Sequence, residues 1–208
     1  MINLFHSQLQ READKTGSVY LPLLRVPFYK QPTDYYCHPT CVKMVLDYAI
    51  DILDIKQKKL SLKTVAGSTY SDVNSGTSPL CAELVNALLL ESSPNIQFKT
   101  VTPGTFKDIQ AEIDANRPVI AWINVLDSRD GITWHVVVVN GYEENKREIY
   151  YLDPLLEEQY AQKACEVGSF IDLKLGQTGK LIKLVISQEG QKDLFGRVVP
   201  PKKRRRRR

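Results

Sequence analysis

Between positions 41 and 53 the apolar residues Cys41, Met44, Val45, Tyr48, Ala49, Ile52 and Leu53 fall at steps of 0, 3, 4, 7, 8, 11 and 12. That spacing lines one face of an α-helix and no face of a strand. Lys43, Asp47, Asp51 and Asp54 lie off the face. Pro39 suits the first helical turn, where a missing N–H costs nothing. A helix is therefore predicted to start within a residue or two of Cys37. A face that wide is stable in water only against a second layer, and the later sequence supplies candidates for one.

Val119 to Val125, Trp134 to Tyr142, Glu148 to Leu152 and Leu181 to Ser187 all read as strands. The earlier sequence is mainly helical. Residues 1–20 suggest one short helix, and Val19 to Phe28, punctuated by Pro22 and Pro27, an extended run. Lys63 to Ser78 is rich in Ser, Thr and Gly and reads as a loop. A second helix is expected from a Ser78 cap to about Glu91. Ile96 to Val101 alternates like a strand, and Thr105 with Asp108 three residues on opens a third helix that ends before Pro118. Helices first and strands later argue an α+β fold with an antiparallel sheet.

Net charge excludes one class of function. The chain has 208 residues, 28 Lys and Arg against 24 Asp and Glu. The last seven residues, Lys202 to Arg208, are all basic; without them 21 basic residues face 24 acidic ones, a net charge of −3. The body is mildly acidic, so a polyanion-binding role would rest on the tail alone. Length suits one domain. The expected division is an N-terminal extension over 1–24, a domain over 25–190, and a linker with basic tail over 191–208. No apolar run approaches the roughly 20 residues that span a bilayer. Met1 to Gly17 is polar with both charge signs and does not read as a signal peptide. The expectation is a cytoplasmic protein with four free thiols, or a nuclear one if the tail is an import address.

Few residues could do chemistry. Of three histidines, His135 sits inside the most apolar strand. Asp153 follows the next strand, and a hairpin turning near Glu144–Arg147 would bring both to one sheet end. The carboxylate could then fix the imidazole's tautomer and orientation. Asp153 read alone is a turn residue before Pro154. Cys37 at a helix start sits in the positive end of the helix dipole, which favours the nucleophilic thiolate. Cys41, on the apolar face, reads as a small hydrophobe, and Cys81 and Cys165 as structural. Gln31, six residues before Cys37, could donate to an oxyanion together with the Cys37 N–H.

Four blocks in order carry a resemblance. Val26–Pro27–Phe28 with Gln31, Cys37, Pro39 and Thr40, then the apolar helix, resembles the opening of the C39-like branch of papain-fold cysteine peptidases. Pro118 to Ile123 is similar to that family's strand before the active-site loop. Trp134–His135 through Gly141–Tyr142 resembles its histidine strand, and Leu152–Asp153–Pro154 its acidic turn. The blocks span about residues 25–155. The resemblance implies a papain-like fold, with the Cys-bearing helix packed on a C-terminal antiparallel sheet. It implies Cys37 as nucleophile, His135 as general base and acid, Asp153 as orienter and Gln31 as oxyanion donor. It implies hydrolysis of a peptide or protein substrate through a thioester, with no metal or organic cofactor.

One position departs from the family. His38 stands where the family has glycine, at what the resemblance places as the cleft rim, and it joins Tyr36 and Trp134 as a cleft candidate. Rival readings are a different acyl transfer on the same scaffold, such as transpeptidation or deamidation, and a binding module without catalysis. Zinc held by Cys37, Cys41 and His38 would lack a second ligand pair. The tail resembles a short import signal and would attract polyanions or anionic lipid.

Overall fold

The computed structural model describes residues 23–52, 58–73, 76–78, 81–92, 95–127, 131–176 and 179–186. The expected N-terminal helix, Leu53 and Asp54 of the Cys-bearing helix, Ser187, and the linker and tail lie outside the described residues. In chain order the elements are α1 (Cys37–Ile52), α2 (Leu62–Ser68), α3 (Cys81–Ser92), β1 (Ile96–Val101), α4 (Phe106–Asp114), β2 (Val119–Asp127), β3 (Gly131–Glu143), β4 (Glu148–Leu152), α5 (Glu158–Ala161), β5 (Gln162–Glu166), a π-helical segment (Ser169–Leu175) and β6 (Leu181–Ile186).

The six strands form one sheet in the order β1-β6-β2-β3-β4-β5, with every neighbouring pair antiparallel. Helices α1 and α4 pack on β2 and β3, and α3 packs on the edge strand β1. Asn86 of α3 joins that edge: its Nδ2 donates to the Phe98 carbonyl and its Oδ1 accepts from the Phe98 N–H, both at 2.7 Å. The pair of bonds occupies backbone groups that an edge strand would otherwise leave open.

Helix α1 starts at Cys37, but it is buried far beyond the apolar stripe. Cys41, Met44, Val45, Tyr48 and Ala49 are in the core, and so are His38, Thr40, Val42, Leu46 and Asp47. Asp47 thus departs from its expected place off the apolar face. It accepts from Lys43 Nζ at 2.6 Å and from the Tyr29 hydroxyl at 2.8 Å. An interior carboxylate needs such partners to offset its lost hydration.

Other differences have local causes. Residues 63–68, expected as loop, belong to α2, which is capped by the Ser61 hydroxyl accepting from the Thr64 N–H at 3.1 Å. The cap and the burial of Val65 and Ala66 outweigh the weak helix propensity of that stretch. Thr105 and Asp108 do form a capping box. Strand β5 was not foreseen. Its residues are alternately exposed and half-buried, so it pairs along β4 without an apolar face to announce it.

Candidate active site

Cys37 is the first residue of α1, and the Thr40 N–H donates to the Tyr36 carbonyl at 3.1 Å to close the first turn. The Cys37 N–H therefore falls among the opening amides that a helix leaves without an intrahelical acceptor. The side chain is half-buried and free. It lies within hydrogen-bond reach of His135.

His135 is buried in β3, paired in register with Ile123 of β2. Its Nε2 donates to Asp153 Oδ1 at 2.7 Å. The other ring nitrogen, Nδ1, is left for the thiol. Asp153 Oδ1 also accepts from the Leu155 N–H at 3.0 Å, and the Asp153 N–H donates to the Ala161 carbonyl at 2.9 Å. The carboxylate is thus held at both backbone and side chain.

A β-bulge decides that the two side chains meet. Strand β4 leaves its turn with Glu143 opposite Glu148, then Tyr142 opposite Ile149 and Gly141 opposite Tyr150. A regular ladder would continue with Asn140 opposite Tyr151, putting Asp153 opposite Val138 and on the face away from His135. Instead the register shifts: Val139 faces Tyr151 and Val138 faces Leu152. Asp153 then falls opposite Val137, on the His135 face, because opposed residues share a side and alternate ones do not.

The bulge residue, Asn140, is buried and clamped. Its Nδ2 donates to the Leu24 carbonyl at 3.2 Å and to Gln162 Oε1 at 3.0 Å; its Oδ1 accepts from Gln162 Nε2 at 3.1 Å. Its carbonyl accepts from the Leu24 N–H at 2.7 Å. One amide so ties the N-terminal extended segment and β5 to the histidine strand.

The electrostatics follow from this geometry. Burial is the largest single influence on His135 and pulls its pKa down. The hydrogen bonds and charges of Asp153 and Cys37 together outweigh it, and the imidazole stands at about 9 instead of 6.5. Asp153 is also penalised by burial, but the bond and charge of His135 leave its carboxyl below the ordinary range. Each partner favours the charged form of the other.

Gln31 is buried beside this group. Its N–H donates to the Pro154 carbonyl at 2.8 Å, which ties its loop to the Asp153 turn. Its Nε2 donates to the Thr33 carbonyl at 2.9 Å, leaving the second amide hydrogen over. Trp134 is 46% exposed next to His135, and Tyr36 is half-buried before Cys37.

His38 corrects the expectation of a rim residue. It is fully buried, its ring 5.8 Å from that of Trp122. Consecutive side chains at a helix start diverge, so with Cys37 facing His135 the next residue turns inward. Neither ring nitrogen has a hydrogen-bond partner among the described residues. Burial first, then the Lys180 charge, lowers its pKa to about 3. The ring is neutral and packs as a core group. Cys41 also turns inward, its Sγ donating to the Val136 carbonyl at 3.3 Å.

A cysteine at the head of a central helix, facing a histidine and an aspartate on an antiparallel sheet, defines the papain-like cysteine peptidase fold. Two solved structures share it. One, assigned as a C39-like peptidase from Bacillus anthracis, aligns at TM-score 0.56 and 18% identity, covering 79% of this chain and 98% of that one. The other is xylellain, a cysteine protease from Xylella fastidiosa, at TM-score 0.61 and 10% identity, covering 80% of this chain and 86% of that one. The model of the Peptidase_C39 like family matches residues 23–172, and the chain belongs to that family. No curated protein matches it. No helix among the described residues is long and apolar enough to cross a membrane.

Proposed function

We propose that the protein is a cysteine peptidase that cleaves peptide bonds through an acyl-enzyme thioester. The observation that carries this reading is the chain of contacts from Cys37 to His135 to Asp153, on a histidine held at about 9. An imidazole with that pKa is protonated at neutral pH, and an imidazolium beside a thiol favours the thiolate.

The thiolate attacks the substrate carbonyl. The free Cys37 N–H and the spare Gln31 amide hydrogen stabilise the oxyanion. His135 gives its proton to the leaving amine and a thioester remains. Water, deprotonated by His135, attacks the thioester and releases the acid. Asp153 keeps Nε2 protonated and so keeps Nδ1 directed at the thiol. The substrate is a peptide or protein.

The test is labelling by electrophilic peptides. Cys37→Ala should abolish it, whereas Cys41→Ala, which removes a core thiol, should keep it. Full labelling of Cys37→Ala would assign the nucleophile elsewhere. Mass spectrometry of products then separates hydrolysis from transfer to another amine.

A further inference from the structure

Among the described residues the Asn140 side chain makes no hydrogen bond to Cys37, His135 or Asp153. It nevertheless sits where the register of the histidine strand against the aspartate strand is decided. Asn140 is the extra residue of the bulge, between Val139 opposite Tyr151 and Gly141 opposite Tyr150. A bulge gives up regular ladder pairing, so something outside the ladder has to favour it.

Three features do. Gln162 of β5 is the first. Its Nε2 donates to Asn140 Oδ1 at 3.1 Å and to the Tyr151 carbonyl at 3.2 Å, and its Oε1 accepts from Asn140 Nδ2 at 3.0 Å. One amide thus bonds both the bulge residue of β3 and the β4 residue just past the slip. The extended segment is the second: the Leu24 N–H donates to the Asn140 carbonyl at 2.7 Å, and the Leu24 carbonyl accepts from Asn140 Nδ2 at 3.2 Å. The third is the end of the neighbouring ladder. Strand β2 pairs with β3 only as far as Val119 opposite Val139, and Pro118 beyond it has no N–H to compete for the Asn140 carbonyl. The extended segment then runs on to Gln31, whose N–H donates to the Pro154 carbonyl, so it braces the bulge and the Asp153 turn together. Without these bonds the competing state is the regular ladder, which carries Asp153 to the side of the sheet away from His135. The two amides carry no charge. A change in His135 titration on their loss therefore reports a displaced Asp153.

We propose that Asn140 is a positioning residue for the acyl transfer: with Gln162 and the Leu24 backbone it holds the bulge that sets Asp153 against His135. Its catalytic consequence rests on the peptidase reading, and the test separates the two. Full-length Asn140→Ala, Asp153→Asn and the double variant are compared with Asn86→Ala, which removes a pair of bonds at the far edge of the sheet. Heteronuclear NMR follows His135, and iodoacetamide and an electrophilic peptide label Cys37. In Asn140→Ala, His135 should titrate at 6.5 or below instead of about 9. Labelling at pH 7 should slow by about tenfold or more and recover only toward the ordinary thiol range, about pH 8.5. The double variant should be no slower than Asp153→Asn, because Asn140 acts through Asp153. Asn140→Gln combined with Gln162→Asn rebuilds the amide pair and should restore most of the shift. Asn86→Ala should lower the unfolding midpoint and leave both readouts unchanged. Should Asn140→Ala prove unfolded, Gln162→Ala carries the same readouts with the Leu24 bonds in place. A destabilised Asn140→Ala in which His135 still titrates near 9 overturns the proposal and leaves the peptidase reading standing. So does a double variant slowed beyond Asp153→Asn. A His135 shift in Asn140→Ala, with no labelling of wild type by electrophilic peptides, supports the positioning role and overturns the peptidase.

Discussion

Replacing Asp153 by Asn keeps the shape of the side chain and removes its charge. The variant's Oδ1 can still accept from His135 Nε2, so the test isolates electrostatics. In the native site the imidazole stands at about 9 against an ordinary 6.5, which corresponds to about 3 kcal/mol in favour of the charged form. That is a net figure, because burial, the largest single influence, opposes it. With the Asp153 charge gone, only Cys37 counters burial, and His135 should titrate at or below 6.5. Heteronuclear NMR reads this directly. The chain has only three histidines, and His38, near 3, stays neutral across the range. Iodoacetamide labelling of Cys37 at pH 7 should slow by about tenfold or more as the imidazolium is lost. Stability responds with a definite sign. A histidine whose folded pKa exceeds its unfolded one contributes fully below 6.5, and the contribution is lost as pH rises through about 9. Wild type should therefore lose stability across that window, and Asp153→Asn should lose less. A variant in which His135 still titrates near 9 would refute the reasoning, because Asp153 would not be the source of the shift.

Three further outcomes are expected. Asn140→Ala removes three side-chain hydrogen bonds, one buried and two part-buried, and should cost about 2–4 kcal/mol, lowering the unfolding midpoint by about 5–15 °C. Its effect should be less than additive with Gln162→Ala, since the two amides share two of those bonds. His38→Phe replaces a buried ring without partners by an apolar one and should change stability at pH 7 by under about 1 kcal/mol. It should also remove an acid sensitivity: the native His38, near 3 when folded, costs about 1.4 kcal/mol per pH unit as pH falls below 6.5, read by urea titration at several pH values. Deleting Lys202–Arg208 takes the net charge from +4 to −3 and should abolish salt-sensitive retention on heparin, with labelling of Cys37 unchanged.

The three reactive groups were legible for different reasons. Cys37 was marked by a helix whose 3.6-residue period and Pro39 located its start. His135 and Asp153 were marked by scarcity and by strand boundaries, and the family resemblance gave them a common purpose. Gln31, a solvated amide if read alone, drew its expected oxyanion role from its spacing to Cys37 and from the resemblance, and in the structure its N–H ties that loop to the Pro154 carbonyl. Most of helix α2, residues 63–68, reads as loop in the sequence because Ser, Thr and Gly obscure a seven-residue helix that depends on a cap and buried neighbours.

The sequence alone determined what contiguous residues can encode: the face of α1, the alternation of the strands, the capping box at Thr105, and residue types fit for acyl transfer. Only the tertiary structure decided which groups share a face. His38 turned inward because Cys37 turned toward the histidine. Asp47 could be buried because the Tyr29 hydroxyl came to it from another segment and joined Lys43, one helical turn away. Asp153 met His135 because a bulge at Asn140 moved the register by one residue, and that bulge is clamped by Leu24 and Gln162 from distant parts of the chain. Periodicity is a property of neighbours along the chain. Pairing register is settled between strands, where a slip of one residue moves a side chain to the other side of the sheet.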